Sequence, residues 1–562
     1  MFIKKREEIN EIKDVVSANA GVSIEDFLST EKEYKIKNIE KAKDIILKHL
    51  HDKITIVGDY DCDGICASAI MKIAINKLGG KNVTVRLPKR FSEGYGLSEK
   101  IVDEIDEGLL ITVDNGITAF DAIEKAKEKG LTVLLTDHHL PAEDGRIPNA
   151  DLIINPNAIP DSADFSGYCG AGIAYKICEL LLSPKYASLA TKLKSLAAIA
   201  TVADVMPLVE ENRSIVKNGL VDMTKSAGRT AGLGALLKLL DLNFHINEKN
   251  IGFKIGPIIN APGRLFDNGA ERSFKLISNN HSLEEAQEDA AELIKINEER
   301  KSIKEKELKI IEQNIVDNCL IGDNIFVIYE PELTEGLVGI YAGNIAEKYG
   351  VPCFVLTNSD DPEILKGSGR TAKDINIKAV LDENSEFLVK YGGHAEAAGI
   401  SVKMDDFEDF RAALLKSVPK LDETSDDVFY DIETSVENMA ETLDELAIYA
   451  PYGQGNPEIV FLFKDFVLSP SYGKFFTTLG DSDQHLKLFG KGVTAIGFGM
   501  TEKYIKMGMP KKVDIVGTVN VNWFMGKSTT QIEIIDFADS STFKTTELQK
   551  LLTEMATKRY NS

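Results

Sequence analysis

From residue 53 to about 186, short β-rich apolar runs alternate with stretches of helical spacing. The runs are ITIV (54–57), VTVRL (83–87), LLITV (109–113), LTVLL (131–135) and DLIIN (151–155). Between them stand ICASAIMKIAINKLG (65–79), rich in small residues, and AFDAIEKAKEKG (119–130). Strand–helix alternation at this spacing predicts an α/β domain built on a doubly wound parallel sheet. In such sheets the chemistry gathers at the carboxyl ends of the strands.

A mostly helical region follows to about residue 240. Residues 282–315 contain no proline or glycine and are rich in helix formers, which predicts one long helix bridging two lobes. A second α/β unit, with strands IFVIY and PCFVLT, runs from about 324 to 419, and the acidic LDETSDD (421–427) is the linker candidate. Beyond it HLKLFG, VTAIGFG, KKVDIVGTVNVNWF and TTQIEIIDF predict a small β-barrel or sandwich. The division expected is 1–240 for the first domain with an N-terminal extension, 241–320 for the connecting region, 321–420 for the second α/β domain and 428–562 for the barrel. No internal repeat or low-complexity tract interrupts this pattern.

The polar residues that punctuate the apolar runs carry the chemistry. ITIV leads into Asp59, Asp61 and Asp63; LLITV ends in Asp114; LTVLLT ends in Asp137, His138 and His139. Farther on, the apolar LKSLAAIATVADVMPL delivers Asp204 into hydrophobic company. If strand geometry continued past Val57, the three alternate aspartates would face one side. Carboxylates so close repel one another unless a positive group sits between them. A solvated acidic loop is the bland alternative for the first cluster alone. An EF-hand loop is excluded, because its twelfth position is Ile70 rather than a bidentate Glu and a strand precedes it. Clusters at three strand ends of one sheet are hard to explain structurally. Carboxylates with imidazoles suit a pair of divalent cations, Mn²⁺ favoured and Mg²⁺ the alternative, which can activate water for in-line phosphoryl displacement.

Composition narrows the class. The 562 residues, 43% hydrophobic and 27% charged, are those of an ordinary globular protein of several domains. No apolar run approaches a membrane span, and the N-terminus lacks a signal-peptide core. Six scattered cysteines without a C-x-x-C pair predict reduced, cytoplasmic thiols. A net charge of −23 argues against a generally basic surface, yet leaves room for nucleic acid in a locally basic groove.

The motifs GDYDCDG, TVDNG, TDHH and ATVADVMPL together resemble those of the DHH phosphoesterase superfamily, and their order and spacing are similar to its RecJ-type branch of single-strand-specific 5′→3′ exonucleases. The resemblance extends through PKRFSEGYGL (88–97), GYCGAGIAYK (167–176), GPIINAPGRL (256–265), GSGR (367–370) and GGHAEAAG (392–399), so it covers most of the chain. It implies Asp61, Asp63, Asp114, His138 and Asp204 as metal ligands, with Asp114 bridging two ions. It implies His139 beside the scissile phosphate as stabiliser or proton carrier, and Asp59 and Asp137 as ligands or orienting groups. Pyrophosphatase-type members place a metal-binding histidine four residues before the position of Asp61, where this chain has Val57. The exonuclease branch also lacks it.

The second α/β unit resembles the DHH-associated domain, and the last ~130 residues resemble, more weakly, an OB-like domain. The glycine-rich turns would let backbone N–H groups approach phosphate, with Ser368, Arg370 and His394 clamping the chain end. Arg264 and Arg90 are further phosphate forks. Trp523, Phe475 and Phe476 are candidates for stacking bases, against the alternative of core packing. The activity implied is two-metal hydrolysis of single-stranded DNA to 5′-mononucleotides, in DNA repair and recombination. By the same resemblance the partners are single-stranded DNA, a single-strand-binding protein and a helicase, and the location is cytoplasmic. The alternative is a short-oligonucleotide or cyclic-dinucleotide phosphodiesterase of the same superfamily. A haloacid-dehalogenase phosphatase leaves TDHH and GGHAEAAG unexplained, and a metal-free replisome scaffold would have lost the ligands present here.

Overall fold

The computed structural model describes residues 3–29, 32, 34–158, 161–225, 228–242, 244–278, 282–372, 375–419, 427–480, 482–524 and 527–541. They form two compact units, one of residues 34–206 and 218–423, the other of residues 1–33, 207–217 and 424–562.

In the first unit, β1 (Ile54–Val57), β2 (Val83–Arg86), β3 (Leu109–Val113), β4 (Thr132–Thr136) and β5 (Leu152–Ile154) form an all-parallel sheet in the order β2-β1-β3-β4-β5. β3 is buried along its whole length. The order reverses between β1 and β3, and an open α/β sheet forms its binding crevice at that point, beyond the strands' carboxyl ends. Helix α1 (Cys62–Leu78) follows β1, α2 (Phe120–Glu128) follows β3, and α3 (Gly170–Leu182) and α4 (Ala187–Ala203) follow β5. α1 begins three residues before the expected ICASAI start, so the three aspartates do not extend a strand. The strand ends at Val57, and the Asp61 carboxylate caps the helix by accepting the N–H groups of Asp63 and Gly64, each at 3.0 Å.

A π-helical turn (Ile251–Ile255) runs straight into α5 (Gly256–Leu265). α6 (Leu283–Asp317) is the long helix, started by a reciprocal capping box between Ser282 and Glu285. It packs on both α5 and the strand Phe326–Tyr329 of the second α/β lobe. That lobe's five-stranded sheet runs in the order Leu388–Gly393, Ala397–Lys403, Ile364–Arg370, Cys353–Asn358, Phe326–Tyr329, parallel only in its last pair.

The other unit holds a seven-stranded mixed sheet in which Lys512–Phe524 and Lys527–Asp539 form a long antiparallel hairpin. Phe461, Phe463, Ile515 and Phe537 centre its core, and Ile12, Val15, Val16 and Phe27 belong to the same cluster. The sequence pattern groups the N-terminal residues with the first domain; here the apolar stripe of helix Ile12–Ala20 is covered by the C-terminal core instead. Of the LDETSDD linker only Asp427 lies among the described residues, and the side chain of Trp523 lies outside them. No helix among the described residues is long and apolar enough to cross a membrane.

Candidate active site

The sequence places carboxylates at the ends of β1, β3 and β4, and the fold brings them together. Asp63, in the first turn of α1, is buried with both oxygens on the N-terminus of α3: Oδ2 accepts Gly170 N–H at 2.6 Å and Oδ1 accepts Ala171 N–H at 2.7 Å. Gly170 must be glycine, since a Cβ there would stand 2.4 Å from Asp114 Cβ. Asp114 itself lies in the left-handed region at φ 65°, which Asp tolerates better than most residues. Asn115 fixes that turn by donating to the Val57 and Val113 carbonyls and accepting Leu97 N–H.

His138 Nε2 lies 3.1 Å from Asp114 Oδ1 and 3.7 Å from both Asp63 Oδ2 and Asp204 Oδ2. Three sets of side chains have ligand atoms mutually close enough for a metal ion: Asp59 with Asp61 and Asp114, Asp63 with His138 and Asp204, and Asp114 with His138 and His139. Asp114 and His138 are each common to two sets, and of the two only the carboxylate has two oxygens to share between ions. Burial, then neighbouring carboxylates, raises Asp59, Asp61 and Asp114, and pushes Asp204 up to about 8. Burial lowers His138. Asp59 Oδ1 and Asp114 Oδ1 are buried without a hydrogen-bond partner. Orphaned carboxylate oxygens, mutual repulsion and a neutral imidazole describe a site that divalent cations fit.

Asp137 occupies a different position. Its Oδ1 accepts the N–H groups of His138 and His139 and faces His139 Nδ1 at 2.8 Å, while Oδ2 accepts Ile117 N–H. Asp137 belongs to none of the three metal-binding sets among the described residues, and its bonds to both histidines suit an orienting group. Burial works to lower His139, but the Asp137 hydrogen bond overrides it and raises the imidazole to about 9. Asn155 and Asn157 hold this turn by donating to the His139 and His138 carbonyls. Tyr95 donates to the Asp114 carbonyl at 2.8 Å and stands edge-on to His139. Tyr95, Asn115, Asn155 and Asn157 are not singled out by the sequence pattern. Their only signal is position, in a glycine-flanked loop or just beyond strands.

Alongside opens a cavity of about 400 Å³ lined by Tyr60, Arg90, Arg264, Ser368 and Arg370. Arg90 stacks on the Tyr60 ring at 4.6 Å, and Arg370 donates to Ser368 Oγ at 2.8 Å. Gly339 makes room, since a Cβ there would stand 3.0 Å from Arg370 Nη2. Among the described residues no carboxylate pairs with any of the three guanidiniums. Burial, and then Arg90, lowers both Arg264 and Arg370, the mark of crowded cations awaiting an anion. Four of the five expected phosphate-binding residues therefore converge. His394 does not: it lies exposed in the turn after Leu388–Gly393, near enough to His138 to disfavour its charge.

A carboxylate–histidine centre at the switch point of a parallel sheet, flanked by unpaired guanidiniums, defines a metal-dependent phosphoesterase. The chain matches the DHH family N-terminal domain over residues 53–202, the DHHA1 domain over 322–419 and the RecJ OB domain over 430–536. It is 31% identical to the single-stranded-DNA-specific exonuclease RecJ of Haemophilus influenzae, over 90% of this chain and 91% of that protein. It is also 31% identical to the Bacillus subtilis RecJ, over 90% of this chain but 64% of the longer relative. The crystal structure of Thermus thermophilus RecJ in complex with Mn²⁺ superposes with a TM-score of 0.77 at 26% identity, covering 94% of this chain and 76% of that one. The same protein in complex with Mg²⁺ gives 0.72 at 25%, covering 95% and 75%. The chain belongs to the RecJ family of metal-dependent, single-stranded-DNA-specific exonucleases.

Proposed function

We propose that the chain digests single-stranded DNA from its 5′ end to nucleoside 5′-monophosphates, with Arg90, Arg264, Ser368 and Arg370 holding a phosphate on the strand's 5′ side. The observation that carries this polarity is the unpaired guanidinium pocket beside the carboxylate cluster, with Tyr60 stacked under Arg90 and Asp61 next in sequence. Planar guanidinium forks match phosphate oxygens in pairs and fix the strand's register. Asp61, Asp63, Asp114, His138 and Asp204 are the residues that would hold two divalent ions, with Asp59 beside them. Those ions, when bound, supply charge neutralisation at the phosphate and an activated water. Asp137 keeps the His139 Nδ1–H aimed at its own oxygen, which leaves Nε2 as the atom that carries a proton beside the scissile phosphate. His394, on its turn near His138, would then serve the reacting phosphate rather than the terminal one.

A nuclease confined to single strands needs duplex to be opened and strands to be kept open, so a helicase and a single-strand-binding protein are the protein partners that fit. Five of the six cysteines are buried as free thiols, in keeping with a reducing cytoplasm. The test is digestion of 5′-labelled single-stranded, duplex and 3′-blocked DNA with and without Mn²⁺. Release of labelled mononucleotide from single strands, indifferent to the 3′ block and dependent on Mn²⁺, is the expected result; 3′→5′ digestion overturns it.

A further inference from the structure

A cavity of about 590 Å³ opens in the first unit where four segments meet. They are the last turns of α1, the residues 185–186 before α4, the opening turns of α4 and the end of helix Ala270–Ser278. Lys77, Lys185 and Lys192 line it with Tyr186, and none of its lining residues is acidic. The chain carries 88 acidic against 65 basic residues, and other lysines of this unit meet carboxylates, Lys125 with Asp103 and Lys127 with Asp151. Among the described residues no carboxylate pairs with Lys77, Lys185 or Lys192.

Tyr186 gathers two of the three. The Nζ atoms of Lys77 and Lys185 stand 4.9 Å and 5.0 Å from its ring centroid. An aromatic face attracts an ammonium without neutralising it, so the positive charge stays concentrated at the cavity. Like charges held together repel unless an opposite charge joins them. A merely solvated lysine face does not explain two ammoniums drawn to one ring. The field of α4 adds to theirs, because the helix starts at Tyr186 with no side-chain cap and no acidic residue in its first turn.

We infer that this cavity binds a small molecule carrying a chain of phosphates, a nucleoside triphosphate or an inorganic polyphosphate, at a site separate from the metal cluster. Ammoniums are point charges that bind phosphate oxygens from several directions. Asn76, Ser188 and Ser278 add polar groups to the lining, and Ile73 and Leu189 add apolar ones. The volume falls in the range of about 300–1,000 Å³ that small-molecule sites occupy. The separation follows from the two helices. Asp63 stands in the first turn of α1 and Lys77 in its last; Ser188 opens α4 and Asp204 caps its other end. At helical rise these pairs are about 21 Å and about 24 Å apart. A ligand held by the lysines is therefore bound and not cleaved.

The experiment is calorimetric titration of the full chain, in chelator, with inorganic tripolyphosphate and with ATP. The expected result is saturable binding whose Kd rises about tenfold in Lys185→Gln and in Lys192→Gln, and about a hundredfold in the double variant. Lys185→Arg keeps the parent Kd, and so does Arg370→Ala, which reports on the guanidinium pocket beside the metal cluster. Equal Tm without ligand and unchanged dinucleotide hydrolysis in Mn²⁺ confirm that the lysine variants keep the fold. Tripolyphosphate bound as tightly as ATP supports a site for the phosphate chain alone; tighter ATP supports a nucleotide site with the base on Ile73 and Leu189. No saturable binding of either probe up to about 1 mM overturns the inference. Binding that weakens in Arg370→Ala and not in the lysine variants overturns it too, placing the anion in the guanidinium pocket. Lysine variants that lose affinity only for a strand of about twenty nucleotides make the lysines a track for DNA, which also overturns it.

Discussion

Asp137 Oδ1 lies 2.8 Å from His139 Nδ1 and also takes the backbone N–H groups of both histidines. The aspartate of TDHH thereby aims the motif's last histidine. Asp137→Asn keeps the shape but removes the charge that holds the imidazolium in place. Partners of this kind typically contribute about 10–100-fold, so kcat should fall by that factor. Mn²⁺ affinity, read by calorimetry, should be nearly unchanged because Asp137 belongs to none of the three metal-binding sets among the described residues. A large loss of Mn²⁺ affinity would instead make Asp137 a ligand.

Asp114 is common to two of the three ligand sets and is buried beside other carboxylates. Asp114→Asn and His138→Ala should each reduce turnover in Mn²⁺ by about a thousandfold or more, since several kcal/mol of charge stabilisation are lost at ~1.4 kcal/mol per factor of ten. The asparagine variant carries a second expectation. Without metal, removing one of several mutually repelling carboxylates should raise Tm, because the parent site is arranged for cations rather than for stability. Thermal unfolding in chelator measures this. A lower Tm for Asp114→Asn than for the parent in chelator contradicts the repulsion.

Arg370 donates to Ser368 and the Gly369 carbonyl and meets no carboxylate among the described residues. A charge-assisted hydrogen bond contributes about 1.5–3 kcal/mol. Arg370→Ala should therefore raise KM for 5′-phosphorylated strands by roughly 10–100-fold and leave Mn²⁺ binding intact. The penalty should shrink on strands with a 5′-hydroxyl. Equal penalties on both substrates would place Arg370 away from the terminal phosphate.

Much of this site was legible because its chemistry falls at the ends of apolar runs. Asp59, Asp61, Asp63, Asp114 and the TDHH residues are found by locating where strands stop, and a parallel sheet gathers such ends on one edge. Distance in sequence hides the rest. Asp63 finds its two N–H donors at Gly170 and Ala171, and Tyr95 finds its acceptor at Asp114, through contacts no periodicity announces. His394 groups with Arg370 in sequence because both motifs are glycine-rich. Paired strands in fact separate them, since Arg370 stands opposite Ala397 while His394 lies in the turn before it. The stripe of Ile12, Val15 and Val16 announced a covered face but not which core would cover it.

That last point changes how the C-terminal unit should be tested for a role in holding long strands. Truncation after Asp422 removes the core on which Ile12, Val15, Val16 and Phe27 pack, so the shortened chain would expose them and report aggregation as much as lost affinity. Substitution within the folded unit avoids this. Phe475 and Phe476 line a cavity of about 440 Å³ together with Lys474 and Lys511, and Lys511 sits 4.6 Å over the Phe475 ring. Phe476 and Tyr504 pack edge to face, and Tyr504 is buried, so Phe476 is a core-side residue and Phe475 the cleaner probe. Phe475→Ala should weaken binding of long single strands by about 1–3 kcal/mol if a base stacks there. Lys511→Gln should reduce the slope of log affinity against log salt by about one. Neither variant should affect hydrolysis of dinucleotides, which need only the pocket beside the metal centre. Unchanged affinity and salt slope for both variants on a long strand would assign this cavity a structural or protein-binding role.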